Sequence, residues 1–278
     1  MSQPWDYIAK IVSIGDSGTG KSSLTIRLCE GRFQSHHDVT IGVEFGSRIV
    51  PVGPPASLEY NINNPTPSAS DNAPDAAAAA ATATTSHPST AKGGGAKQKH
   101  MKLSLWDTAG QETYKSITRS YFRGASGALL VFDISRRSTF DSATAWLNDL
   151  RLIAEEGIVV VLVGNKCDLD AQARNEHPFA NGGAKQRKRE VSEKEAEDWA
   201  RAHNILAYVE TSAKSGEGVE RAFREVAERI WQGIEAGRYN LEDRRSGVKR
   251  AGAGGGGTVK MNAGLDDARS RGIGGGCC

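Results

Sequence analysis

The sequence predicts an α/β fold: a mostly parallel sheet of six strands with helices on both faces. Three observations carry that expectation. Short β-branched runs alternate with helical patterns along the chain, as successive βαβ units require. The later runs are apolar without alternation, which marks strands covered on both sides. The first run stops at a glycine-rich loop that opens a helix, the first half of a βαβ unit.

Taken in order, "YIAKIVSIG" (7–15) reads as a buried strand and "KSSLTIRLCEG" (21–31) as a helix stopped by its glycine. "VEFGSRIVPV" (43–52) and "MKLSLW" (101–106) read as an antiparallel pair. "GALLVFDIS" (127–135) precedes a helix over about 141–156, and "IVVVLVGNK" (158–166) precedes a helix opened by the capping box Ser192 to Glu195. "ILAYVETSA" (205–213) precedes a last helix with Val219, Phe223, Val226 and Ile230 on one face.

One domain is expected over 5–236, carrying disordered insertions at about 55–99 and 173–187, with a flexible tail over 237–278. The first insertion includes "PDAAAAAATATTSHPSTAKGGGAKQ" (74–98), which has nothing to line a core and too few alanines for an isolated helix. Closing a flexible loop of about 45 residues costs only roughly 2 kcal/mol more than closing a turn of about four, which a domain of this size tolerates.

Composition narrows the function classes. A net charge of +2 gives no phosphate-seeking surface for nucleic acid. The basic cluster Lys185, Arg187, Lys188 and Arg189 reads as a solvated loop. Cys29, Cys167, Cys277 and Cys278 form no disulfide framework. The first residues lack the apolar core of a signal peptide, and no apolar run has membrane-spanning length. The expectation is a cytosolic protein, or one held at the cytosolic face of a membrane by something other than a helix.

Four motifs carry chemistry. "GDSGTGKS" (Gly15, Asp16, Ser17, Gly18, Thr19, Gly20, Lys21, Ser22), followed by Ser23, fits the phosphate loop between a strand and a helix. Its backbone N–H groups and Lys21 meet phosphate oxygens, and the Ser22 hydroxyl ligates Mg²⁺. "NKCD" at a strand end distinguishes guanine: the Asp168 carboxylate accepts from two base N–H groups, Asn165 reaches N7, and the Lys166 stem covers the ring. In "ETSAK", Ser212, Ala213 and Lys214 place backbone N–H groups for the guanine carbonyl. In "WDTAGQE", Asp107 is suited to hold Mg²⁺ through water, the Gly110 N–H to sense the γ-phosphate, and Gln111 to orient the attacking water.

This set resembles the small GTPases of the Ras superfamily, and specifically their Rab branch. "IGVEF", "KLSLW", "YFRGA" and "LVFDIS" are similar to segments that separate Rabs from their cousins. "HHDVTIGVEFGSR", "SITRSYFRGASGALLVFDISRRSTF" and the terminal "GGGCC" resemble the ER–Golgi and early-endosome subgroup most. The resemblance implies a phosphate-loop NTPase with a Ras-like G domain that binds GTP or GDP with Mg²⁺. It implies that Phe33 packs on guanine and that Thr40 is the switch I threonine, ligating Mg²⁺ and contacting the γ-phosphate. Phe45, Trp106 and Tyr121, with Ile41 and Gly42, match the Rab effector surface. His36 and His37 lie beside switch I as loop residues rather than a metal pair.

The reaction implied is GTP plus water to GDP plus phosphate, slow until an activating protein supplies charge stabilisation. No arginine in these motifs suggests a finger supplied in cis. The implied partners are an exchange factor, an activating protein, escort and GDP-dissociation-inhibitor proteins, and membrane-tethering effectors. Cys277 and Cys278 would carry geranylgeranyl groups, two chains being needed for stable attachment. Arg244, Arg245, Lys249 and Arg250 either add attraction to anionic lipid or form a solvated linker. The expected location is the cytosolic face of Golgi, ER or early endosomal membranes, with a cytosolic pool. A GTP-bound scaffold that no longer cycles is the alternative.

Overall fold

The computed structural model describes residues 4–35, 38–59, 97–170, 189–243 and 246–251. Seven strands lie in one sheet: β1 (Tyr7–Ile14), β2 (Val43–Val52), β3 (Lys99–Thr108), β4 (Gly127–Asp133), β5 (Val159–Asn165), β6 (Ala207–Thr211) and β7 (Val248–Arg250). The main order is β2-β3-β1-β4-β5-β6, with β7 pairing to β1. Every neighbouring pair on the main path is parallel except β2–β3. The expected α/β architecture is therefore present.

Alternation within each strand divides the core between the two faces. Leu129 and Val131 of β4, with Val161 and Val163 of β5, meet α1 (Lys21–Glu30) and the last helix, Val219–Glu235. Leu130 and Phe132, with Leu162, face the opposite layer instead. That layer holds α5 (Ala143–Ile153) and α6 (Glu193–Ala202), so the last helix is α7. Three short helices also lie among the described residues: α2 (Ala56–Glu59), α3 (Lys115–Ser120) and α4 (Arg137–Asp141). Burial on both faces is why these strands read as continuous apolar runs.

Two local expectations need amendment. At α6 the Ser192 hydroxyl accepts from the Glu195 N–H at 3.2 Å, as a cap does. The Glu195 carboxylate, however, turns outward to Arg137, 2.6 Å away, so the box is only half made. Arg189 does not belong to a solvated basic loop. Its guanidinium holds Glu210 in a two-pronged pair with both N···O distances at 2.7 Å, and reaches Asp170 at 3.2 Å.

The first insertion leaves the sheet between β2 and β3, whose register runs unbroken from Val43 opposite Thr108 to Val52 opposite Lys99. Residues 60–96 lie outside the described residues, as do 171–188, which contain the second insertion expected at 173–187. The stem of the first is built tightly. The Gln98 amide donates to the Val52 carbonyl at 2.8 Å and accepts from the Ala56 N–H at 3.2 Å, lacing the two sides together. The Gly53 N–H donates to Glu228 of α7 at 2.9 Å, and the Trp231 ring packs against Gly53. Residues 56–59 and Lys99, read as part of a disordered insertion, are thus helix and strand.

The tail also differs from the expectation. Residues 248–250, read as flexible, form β7 against β1, with Val248 fully buried. Tyr239 and Leu241 pack on the main core.

Candidate functional site

The four motifs converge on the C-terminal ends of the parallel strands, where open α/β sheets place ligands. They line one cavity of about 540 Å³. Its wall includes Ser17, Gly18, Gly20, Lys21, Ser22 and Ser23 of the phosphate loop, Phe33 and Thr40, Gly110 and Gln111, Asn165, Lys166 and Asp168, and Ala213 and Lys214. Gly15, Asp16, Thr19, Asp107 and Ser212 do not line it. They support the residues that do.

Support comes from a web of side-chain bonds to backbone. Thr19 donates to the Asp16 carbonyl at 3.0 Å, and Asn165 donates to the Thr19 carbonyl at 2.8 Å. The Asn165 oxygen accepts from Thr211 at 3.1 Å and from the Ala213 N–H at 3.2 Å. One amide thereby ties the phosphate loop, β5 and the loop after β6 together. Ser212 donates to Asp168 at 2.6 Å, aligning that carboxylate. Lys166 has φ 73, a left-handed value rare for a side-chain-bearing residue and found where structure over-determines it. Its ammonium donates to the Gly18 carbonyl at 2.8 Å and to Asp133 at 2.6 Å.

Electrostatics centre on Lys21. Its ammonium is buried and donates to the Gly15 and Asp16 carbonyls, each at 2.9 Å. Burial pulls its pKa down to about 8, and the Arg136 charge pulls the same way, against the opposing pull of Asp107 and Asp16. An amine held among carbonyls with its charge destabilised is primed for an anion. Gly110 stands directly over it: a Cβ there would lie 2.4 Å from the Lys21 Nζ and 2.6 Å from the Asp16 carbonyl carbon. Only glycine lets the loop after β3 approach so closely.

The Ser22 and Thr40 hydroxyls stand 2.9 Å apart, and Asp107 is buried at the end of β3. Two hydroxyls and a carboxylate are hard oxygen donors, the chemistry Mg²⁺ prefers. Thr40 comes from a different segment than Ser22, so their meeting brings the stretch before β2 onto the phosphate loop. His36 and His37 lie outside the described residues.

The aromatic residues meet on the flank of the sheet. Phe45 and Trp106 are cross-strand partners with ring centroids 4.6 Å apart and edge-to-face, and Tyr121 lies 5.8 Å from Trp106. Phe45 is 66% exposed and Ile41 76%. Gly42 turns the chain into β2 with φ 82. Exposed aromatic and aliphatic groups held in fixed geometry suit a partner surface. Arg244, Arg245, Cys277 and Cys278 lie outside the described residues.

Four contributors escaped the motif reading. Asp133 anchors Lys166; burial pushes its carboxyl up, but bonds from Lys166 and Ser135 outweigh that and hold it below its ordinary range. Trp146 donates to Asp16 at 2.8 Å. Arg136 donates to the Ser17 carbonyl at 2.5 Å, and Arg27 to the Ala213 carbonyl at 2.8 Å. Arg136 and Asp133 both fall in "LVFDISRR", a stretch that carried no phosphate signal. Cys167, inside the guanine motif, is kept a thiol by burial and nearby carboxylates, which push its pKa up to about 11.

Among the described residues, no helix is long and apolar enough to cross a membrane. Residues 10–60 and 78–232 match the model of the Ras family, and those two stretches hold all four motifs and the switch threonine. Sheet order, cavity and sequence agree: the chain belongs to the Ras family of small GTPases.

Proposed function

We propose that this GTPase is of the Rab type, cycling between GDP and GTP states to recruit effectors during vesicle traffic. One observation carries the catalytic part of the reading. A single cavity joins the phosphate loop, the guanine-selecting residues and both switch segments, with Ser22 and Thr40 in hydroxyl contact. Lys21 takes the phosphate charge, and Asp168, Asn165 and the loop at Ser212, Ala213 and Lys214 take the base. Phe33 covers the ring. Mg²⁺, held by Ser22, Thr40 and, through water, Asp107, would supply neutralisation of phosphate charge. Gln111 orients the attacking water, and the Gly110 N–H reads the γ-phosphate. Loss of that phosphate releases Thr40 and Gly110, so hydrolysis changes the surface that partners read.

Rab character is supported by the Phe45–Trp106–Tyr121 cluster, in which exposed Phe45 stands on half-buried Trp106 and Tyr121, beside Ile41 and Gly42. Effectors reading that cluster, exchange and activating proteins, and escort and GDP-dissociation-inhibitor proteins are the partners proposed. Prenyl groups on Cys277 and Cys278 would hold the protein at the cytosolic face of Golgi, ER or early endosomal membranes, with a cytosolic pool. The domain proposed is 5–236 with its two insertions, extended by Tyr239, Leu241 and β7 of the tail, which pack on it.

GTP turnover by purified protein, with and without cell extract, tests the cycle. Slow release of phosphate, accelerated by extract, is expected. Tight GTP binding with no hydrolysis in either condition would replace the switch with the scaffold reading. Ser22→Asn should lower affinity for GTP far more than for GDP; equal affinities would remove Ser22 from the Mg²⁺ site.

A further inference from the structure

At the end of the sheet away from the cavity, β1 has an open lane. β4 comes alongside it only from Ile11, which stands opposite Gly127. Residues 7–9 of β1 therefore face a side on which β4 supplies no partner, while the Lys10 carbonyl is met by Ser126 just before β4. An unpaired strand edge of this kind accepts another extended segment.

Residues 246–251 fill the lane. β7 runs antiparallel to β1, with Ala9 opposite Val248, Ile8 opposite Lys249 and Tyr7 opposite Arg250. The Lys10 N–H donates to the Gly247 carbonyl at 2.9 Å, and the Ala251 N–H to the Asp6 carbonyl at 2.8 Å. The Gly247 N–H donates to the Glu155 carboxylate at 2.8 Å.

The fit is selective for sequence. A Cβ at position 247 would stand 2.0 Å from the Gly124 carbonyl oxygen, so only glycine enters there. Val248 is wholly buried in the core that contains Tyr7 and Ala9. Lys249 and Arg250 remain exposed. Glycine followed by a buried aliphatic residue is what this lane accepts, and the next two side chains stand in solvent.

We propose that the lane is a strand-binding site of the body, selective for a glycine–aliphatic pair within an extended segment, with residues 246–251 as its exchangeable resident. Docked, the chain is anchored to the body as far as Ala251. Undocked, the last anchored part is the stretch at Tyr239 and Leu241, which pack on the core. At roughly 3.5 Å per extended residue, the difference lengthens the farthest reach of the tail by about 35 Å. The lane thus sets two tether lengths. This rests on backbone geometry and holds whether or not the terminal cysteines are lipidated.

Amide hydrogen exchange on the full-length protein tests it. In the wild type, the Lys10, Gly247 and Ala251 amides should be protected, and should open together before the β4 and β5 amides do. Val248→Asp should speed exchange at all three by at least about tenfold while leaving β4 and β5 unchanged. Val248→Ile should keep the protection. A synthetic peptide of residues 246–251, added in excess to the Val248→Asp protein, should slow Lys10 exchange again; the same peptide with aspartate in place of its valine should not. Unprotected wild-type amides, a Lys10 amide indifferent to Val248→Asp, or opening only with global unfolding would each overturn the proposal. A native-sequence peptide without effect would overturn it as an exchangeable site.

Discussion

The two ends of the sheet are built by different means. At the cavity end, short loops are fixed by side chains bonding to backbone carbonyls: Asn165 to Thr19, Lys166 to Gly18, Arg136 to Ser17 and Arg27 to Ala213. At the opposite end, a long insertion and a glycine-rich tail are captured by packing and strand pairing: Trp231 on Gly53, Gln98 across the stem, and β7 on β1. The first end holds its polar atoms in place before any ligand arrives. The second takes up extra chain without disturbing that arrangement. At the cavity end the second insertion begins only after Asp168 and Leu169 have taken their places in the cavity wall.

The sharpest way to break this contrast is Gly110→Ala. The added methyl has no room against Lys21 and the Asp16 backbone. Overpacking of this kind costs roughly 1–3 kcal/mol, about a 5- to 150-fold loss of GTP affinity measured at equilibrium. Unchanged affinity would mean that the cavity end yields as readily as the other.

Next comes pH. Free Lys21 titrates at about 8, below the ordinary 10.5, and phosphate beside it restores the proton. Binding then takes up a proton above pH 8, so affinity should fall as pH rises, by at most about tenfold per unit. Arg136→Gln removes a cation that pulls Lys21 down, so the fall should begin at higher pH. Comparing the two proteins cancels titration of the nucleotide itself. Coincident pH profiles would remove Arg136 from the field around Lys21.

The smallest effect is expected at the opposite end. Replacing 60–96 with a short turn, keeping Gly53 to Glu59 and Gln98, should leave nucleotide affinity within about twofold. Stability in a denaturant titration should hold or rise by at most about 2 kcal/mol, the closure entropy returned. Lost affinity would show that the insertion reaches the cavity.

The same contrast explains how much was legible in the sequence. The phosphate loop, the guanine motif and the loop after β3 follow from short spacings, because the groups that act together lie on one turn or strand end; Thr40 and Phe33 were expected only from the family resemblance. The alternation of strands and helices was equally plain from apolar runs. Arg136, Trp146 and Arg27 were not, since their partners lie 119, 130 and 186 residues away in the chain. No local pattern records such a meeting. β7 was hidden for another reason. Three residues in a glycine-rich tail carry too little propensity to read as a strand, and only the lane beside β1 makes them one. At Ser192 the cap was visible, but its partner Glu195 had a stronger cation within reach in Arg137.

The bond from Trp146 to Asp16 has a practical consequence. An indole whose N–H is tied to the phosphate loop emits light from the spot where ligand charge arrives. Among the five tryptophans of the chain, Trp231 sits at the insertion stem and Trp106 under the Lys10 ammonium, 3.8 Å from its ring centroid. Lys10 is also the residue whose backbone holds Gly247. The molecule therefore carries its own optical probes at the loop, the stem and the partner face, and single Trp→Phe changes would assign each signal without an added dye.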